Sequence, residues 1–235
     1  MSLLHLLLTV LLGPLLLVQG MWVRRRIPDL PEPEGARSGA AGSGKRARIL
    51  ILGDSAAAGV GVAHQEQALT GLLVAALSPE YFVEWRLEAV SGDTTAATLE
   101  RLAGLEGGEY DFAVTSLGVN DVVAGDGIRR WTRQQKHLRS LLRKKFGVSR
   151  MMISGLPPVG RFPALPQPLR WYLGRRSRQL DARLERDLRS EVDVTYLGLG
   201  FINDMCLMAE DGFHPGPGIY RGWADAVVQV IRASR

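Results

Sequence analysis

Ile49–Gly61 reads ILILGDSAAAGVG, and the fold turns on this stretch. Ile49–Gly53 is a short apolar run of the kind that forms a strand, and the small residues after it open a helix. Comparable runs recur at Phe82–Val90, Phe112–Leu117, Met151–Gly155 and Val192–Leu197, which gives five strands. Helix-length segments lie between them at Gln65–Leu77, Thr94–Leu105, Ile128–Phe146 and Leu169–Ser190, and Ile219–Ile231 closes the chain. This alternation predicts parallel strands joined by right-handed crossovers, an α/β three-layer sandwich around a five-stranded parallel sheet. Ligands of such sheets bind beyond the carboxyl ends of the strands. Polar clusters stand at those ends: Gly53-Asp54-Ser55, Ser91-Gly92-Asp93 and Gly118-Val119-Asn120-Asp121, with Asp211-Gly212-Phe213-His214 in a later loop.

A serine hydroxyl is a weak nucleophile until a base takes its proton, and the base needs a third group to hold its tautomer and offset the imidazolium charge. Ser55, His214 and Asp211 fit these three roles. Their spacing puts Asp211 and His214 on one side of a turn, Gly212 permits the bend, and Pro215 biases His214 toward an extended backbone that presents its ring. Acyl transfer also needs hydrogen-bond donors aimed at the developing oxyanion. The candidates are the backbone N–H of Ser55, that of Gly92, and the side-chain amide of Asn120. Taken singly, each residue has a plainer reading: a capped turn at Gly53-Asp54-Ser55, a turn glycine at Gly92, a capping pair at Asn120 and Asp121, a loop carboxylate at Asp211. Their coincidence at strand ends and in the final loop is what points to a catalytic site.

The four blocks ILGDSAAAGVG, AVSGDTT, SLGVND and DGFHP resemble, in order, those of the GDSL or Ser-Gly-Asn-His hydrolase superfamily, over about Arg48 to Ile231. The resemblance implies a flavodoxin-like sandwich and a serine esterase acting on an ester or thioester, such as an acyl, lysophospholipid-like or acetyl ester, with no cofactor and no metal. It places the nucleophile on Ser55, the oxyanion donors on Ser55, Gly92 and Asn120, and the supporting pair on Asp211 and His214. Two departures stand out: Ala56 replaces the Leu usual after the serine, and Leu117-Gly118 replace small polar residues. Neither removes a catalytic atom. A phosphate-binding module is a rival, but no Lys-Ser or Lys-Thr follows the Gly-rich loop, no G-x-G-x-x-G occurs, and Asp54 would repel a phosphate. A lipase-like α/β-hydrolase lacks its G-x-S-x-G elbow around Ser55. An inactive tethered scaffold is opposed by the intact set of Ser55, Asn120, Asp211 and His214. The apolar stretch Gly155-Leu156-Pro157-Pro158-Val159, with Phe162, Leu165 and Trp171, is a candidate acyl groove, or else core or lid.

Leu3–Val23 carries no formal charge and approaches the roughly 20 residues needed to cross a bilayer. Arg24, Arg25, Arg26, Lys45 and Arg46 follow it and no Lys or Arg precedes it, which predicts an uncleaved membrane anchor with the hydrolase domain facing the cytoplasm. A cleaved signal and export is the alternative, since Val18 and Gly20 offer a cleavage site. Residues 24–46 are rich in Pro, Gly, Ser and charge and are expected to form a flexible linker, with the folded domain running from Ala47 to the C-terminus. A 235-residue chain of 46% apolar composition suits one such domain. The net charge of +5 gathers in Arg129–Arg150 and Arg170–Arg189. Trp131, Leu138, Leu142 and Phe146 recur there at near-helical spacing, so the basic residues form a solvated outer face, with an anionic membrane surface as the second reading; no nucleic-acid motif is present. The single cysteine, Cys206, excludes an internal disulfide and reads as a small buried hydrophobe.

Overall fold

The structure, a computed structural model, describes residues 3–199 and 207–234, with side chains from Leu11 onward. Cys206 lies outside the described residues. Six strands, β1 (Ser38–Ala41), β2 (Lys45–Gly53), β3 (Tyr81–Ala89), β4 (Phe112–Ser116), β5 (Arg150–Ser154) and β6 (Val194–Leu197), form one sheet in the order β1-β3-β2-β4-β5-β6. The five strands read from the sequence are β2 to β6, and they pair in parallel.

Because strand side chains alternate, each central strand feeds two apolar layers. Leu50, Leu52, Ala113, Met151 and Ile153 bury on one face. They pack under α4 (Thr95–Gly104), α6 (Ile128–Lys145) and α7 (Leu169–Leu188), through Leu102, Trp131, Leu138, Leu180 and Leu184. Ile49, Ile51, Val114 and Met152 bury on the other face, beneath α3 (Leu69–Leu77) and α8 (Pro217–Ala233). A fully buried Leu or Ile of this kind contributes about 1.5–3 kcal/mol relative to exposure. Two-sided burial explains why β2 reads as an unbroken apolar run rather than an alternating one.

The sixth strand corrects the sequence reading of both the sheet and the linker. β1 pairs antiparallel with β3, Ser38 opposite Arg86 and Ala41 opposite Val83, so the sheet is mixed. The stretch read as a flexible linker has fixed partners: Glu34 N donates to Ala63 O and Gln65 N to Glu34 O. Its Pro-, Gly- and Ser-rich composition lowers the apolar burial it offers, but backbone pairing to an open sheet edge needs no apolar side chain.

The membrane-anchored, cytoplasm-facing localisation is also corrected. A helix, α1 (Leu3–Arg26), does form at the N-terminus. Among the described residues, however, no helix is long and apolar enough to cross a membrane, so the arginine asymmetry has no span to orient. One side of α1 is occupied by protein. Leu16 and Val23 bury in the domain's core, and Gln19 accepts from Leu169 N at 3.0 Å and donates to Gln167 O at 2.7 Å. The basic helices spend part of their charge internally too: Arg139 and Arg143 pair with Glu191, and Arg143 also with Asp193.

Candidate active site

The sheet register brings the polar clusters level. Gly53 at the end of β2 stands opposite Ala89 of β3 and Ser116 of β4, so Ser55, Gly92 and Asn120 leave the same carboxyl edge a few residues later. At Gly53 a Cβ would lie 2.4 Å from Ser116 O and 2.5 Å from the Ala57 methyl, so only glycine lets the chain turn this closely into the next helix. That helix is α2 (Ser55–Ala58), capped by Asp54, whose carboxylate accepts from Ala56 N at 3.1 Å. Ser55 is its first residue, where a backbone N–H has no partner within the helix. Tyr220 of α8 braces the turn from below, with its hydroxyl 3.0 Å from Ala56 O and 2.7 Å from Val60 O.

The loop before α8 supplies the candidate base. His214 Nε2 lies 3.0 Å from Ser55 Oγ, and Nδ1 lies 2.5 Å from Asp211 Oδ2. The other Asp211 oxygen accepts from Phe213 N at 2.9 Å and His214 N at 3.0 Å, which ties the carboxylate to the turn that presents the ring. The Asp211 side chain has no exposed surface. Burial alone would raise its pKa, but the hydrogen bonds from His214 and Phe213 outweigh it and hold the carboxyl below the ordinary value. Asp54 has fewer compensating donors, and burial pushes it up to about 7. A hydroxyl, an imidazole and a buried carboxylate in this line can pass one proton from Oγ to Nε2 while Nδ1–H stays held.

Asn120 belongs to α5 (Val119–Ala124) and donates one amide hydrogen to Asp93 O at 3.0 Å. A side-chain amide has two hydrogens, so the second remains for the cleft. Gly92 does not itself line the cleft but adjoins this contact through Asp93, in a turn with φ of +86°. Asp121, read from the sequence only as part of a capping pair, fixes this geometry. Its carboxylate accepts from Thr95 N at 3.1 Å and Thr95 Oγ1 at 3.0 Å, and Gln135 of α6 donates to the same Thr95 hydroxyl. Burial pushes the Asp121 pKa up against these hydrogen bonds.

Ser55, Asn120 and His214 open on a cleft of about 60 Å³ whose walls include Leu117, Val119, Phe213, Ile219 and Trp223. Of the groove residues expected after β5, Gly155, Pro157 and Phe162 line it, whereas Leu156, Val159 and Leu165 are core, and Trp171 stays 40% exposed outside it. Ile219 and Trp223 were not legible as site residues, because their spacing on α8 is that of any buried helical face. Among the described residues no cluster of His, Cys, Asp and Glu could hold a metal ion.

Residues 51–221 match the GDSL-like Lipase/Acylhydrolase family. A GDSL-like esterase of Mycobacterium tuberculosis is 29% identical over 126 residues, 52% of this chain, and the match spans only 40% of that relative's length. A lipolytic G-D-S-L protein of Veillonella parvula superposes with a TM-score of 0.61 at 14% identity, covering 79% of this chain and 98% of its own. An aryl esterase of M. smegmatis superposes at 0.59 with 18% identity, covering 80% and 99%. The two structural likenesses are likenesses of fold.

Proposed function

The chain belongs to the GDSL-like lipase/acylhydrolase family of ester-hydrolysing enzymes, and from that premise we propose that Ser55, His214 and Asp211 cleave an ester of a short acyl group. The observation that carries the reading is the line Ser55 Oγ, His214 Nε2, His214 Nδ1, Asp211 Oδ2 at 3.0 and 2.5 Å. Ser55 Oγ attacks the acyl carbon as its proton passes to His214 Nε2. The carbonyl oxygen, now negative, takes hydrogen bonds from Ser55 N–H, Gly92 N–H and the second Asn120 amide hydrogen. His214 then gives its proton to the departing alkoxide, which leaves an acyl-serine. Water, deprotonated by the same imidazole, releases the acid and restores the serine.

The apolar walls, Leu117, Val119, Phe213, Ile219 and Trp223 among them, favour the acyl side of the substrate, and the small cleft favours a short acyl group. The esterase names of the M. tuberculosis and M. smegmatis relatives agree with ester chemistry. A series of p-nitrophenyl esters from acetyl to palmitoyl tests the proposal. kcat/KM is expected to peak between acetyl and butyryl in the wild type and to vanish in Ser55→Ala. A maximum at octanoyl or beyond would overturn the chain-length reading.

A further inference from the structure

The turn that carries Gly92 is held by a residue outside the family match. Gly92 receives little support from packing, since nothing lies within 4 Å of where its Cβ would be. Its position depends on hydrogen bonds to its neighbours. On one side, Asp93 N donates to Val90 O, and the Asp93 carboxylate accepts from Thr98 and Arg101 of α4. On the other, Glu32 Oε1 accepts from both Ser91 N at 3.0 Å and Ser91 Oγ at 2.8 Å.

Glu32 is itself fixed. Its second oxygen takes a hydrogen bond from Arg37 Nη1 at 2.8 Å, and the Arg37 guanidinium also donates to Ala89 O at the end of β3. The Arg37 backbone is bound to the same strand, with Leu87 N donating to Arg37 O at 2.7 Å. Next along the chain, Pro33 closes on Gly59, where a Cβ would meet Pro33 Cγ at 2.7 Å, and Glu34 pairs with the backbone around His64. The segment before β1 thus bridges the end of α2 and the turn after β3, which carry Ser55 and Gly92.

We propose that Glu32, braced by Arg37, is a positioning residue that fixes the Ser91-Gly92 turn and so aims the Gly92 N–H at the oxyanion. The inference rests on the catalytic reading of Ser55, Gly92 and Asn120 given above. Exposed pairs of this kind add little to stability, so their loss separates positioning from folding. Outright removal of an oxyanion donor costs about a hundred- to a thousand-fold in kcat, and a donor left in place but loosely aimed costs less.

The test uses the full chain and a short p-nitrophenyl ester. In Glu32→Ala, kcat is expected to fall about ten-fold, with KM held within about two-fold and the melting temperature close to wild type. A trifluoromethyl ketone, which binds as a tetrahedral adduct, should lose affinity by the same factor as kcat/KM. Glu32→Gln should restore kcat in part, because its amide oxygen accepts from the same Ser91 N–H and hydroxyl while its NH2 group cannot accept from Arg37. Wild-type kcat in Glu32→Ala, or a Gln variant as impaired as the Ala variant, would overturn the proposal. Ser55→Ala, run alongside, separates the two claims: full turnover there would sink the catalytic reading itself, whereas an inactive Ser55→Ala beside a fully active Glu32→Ala would sink only the clamp.

Discussion

Asp54 and Asp211 are both buried beside the Ser55–His214 pair, yet their surroundings push them in opposite directions. Asp54, raised to about 7 from 3.8, holds its proton in the native state over a range where the unfolded chain has lost it. The native state therefore binds more protons between these values, and Asp54's contribution to stability falls as pH rises through that window. A shift of this size corresponds to about 4 kcal/mol. Asp54→Asn keeps a side-chain oxygen to cap α2 and is expected to flatten the decline in urea midpoint between about pH 4 and pH 7; an unchanged slope would remove Asp54 as its source. Asp211 has the opposite sign, because its pKa is lowered: its contribution is present above the ordinary carboxylate range and is lost as pH falls through the native value. At Asn120, replacement by Ala should reduce kcat by about a hundred- to a thousand-fold and leave KM nearly unchanged. A rise in KM with kcat intact would assign the amide to ground-state binding. Ser55, Asp211 and His214 could be read from the sequence because short local spacings and strand ends carry them. Glu32 could not, since its partner Ser91 lies 59 residues away and only the antiparallel turn at β1 brings the two together.

Among the elements, α8 does two jobs, closing one apolar layer and bracing the turn that carries Ser55. Tyr220 is fully buried and its hydroxyl serves the carbonyls of Ala56 and Val60. Tyr220→Phe leaves these carbonyls without that donor, which should cost about 1–3 kcal/mol, read as a lower urea midpoint at unchanged m-value. Stability equal to wild type would mean that another donor takes over. The central strands β2, β4 and β5 were legible because two-sided burial makes each a dense apolar run, and α6 and α7 because their buried residues recur at helical spacing. β1 was not legible: SGAA offers no apolar pattern, and its place is set by backbone pairing with β3. Membrane spanning was over-read for a related reason, since a leucine-rich run does not reveal that Leu16 and Val23 bury against the domain.

At the scale of the molecule, the sheet converts sequence distance into a shared edge. Gly53, Ala89 and Ser116 end level, so three strands joined by two crossovers deliver a serine, a glycine turn and an asparagine to one place, and the final loop adds the histidine 159 residues after the serine it faces. The central claim is that this assembly makes Ser55 the one activated hydroxyl of the chain. Reaction with a fluorophosphonate followed by peptide mass mapping tests it most directly, because the reagent phosphonylates a serine only where a neighbouring base has activated it. The account predicts a single adduct on the peptide that contains Ser55, absent in Ser55→Ala and formed far more slowly in His214→Ala. An adduct on a different residue, or an enzyme that hydrolyses esters without being labelled at Ser55, would contradict it.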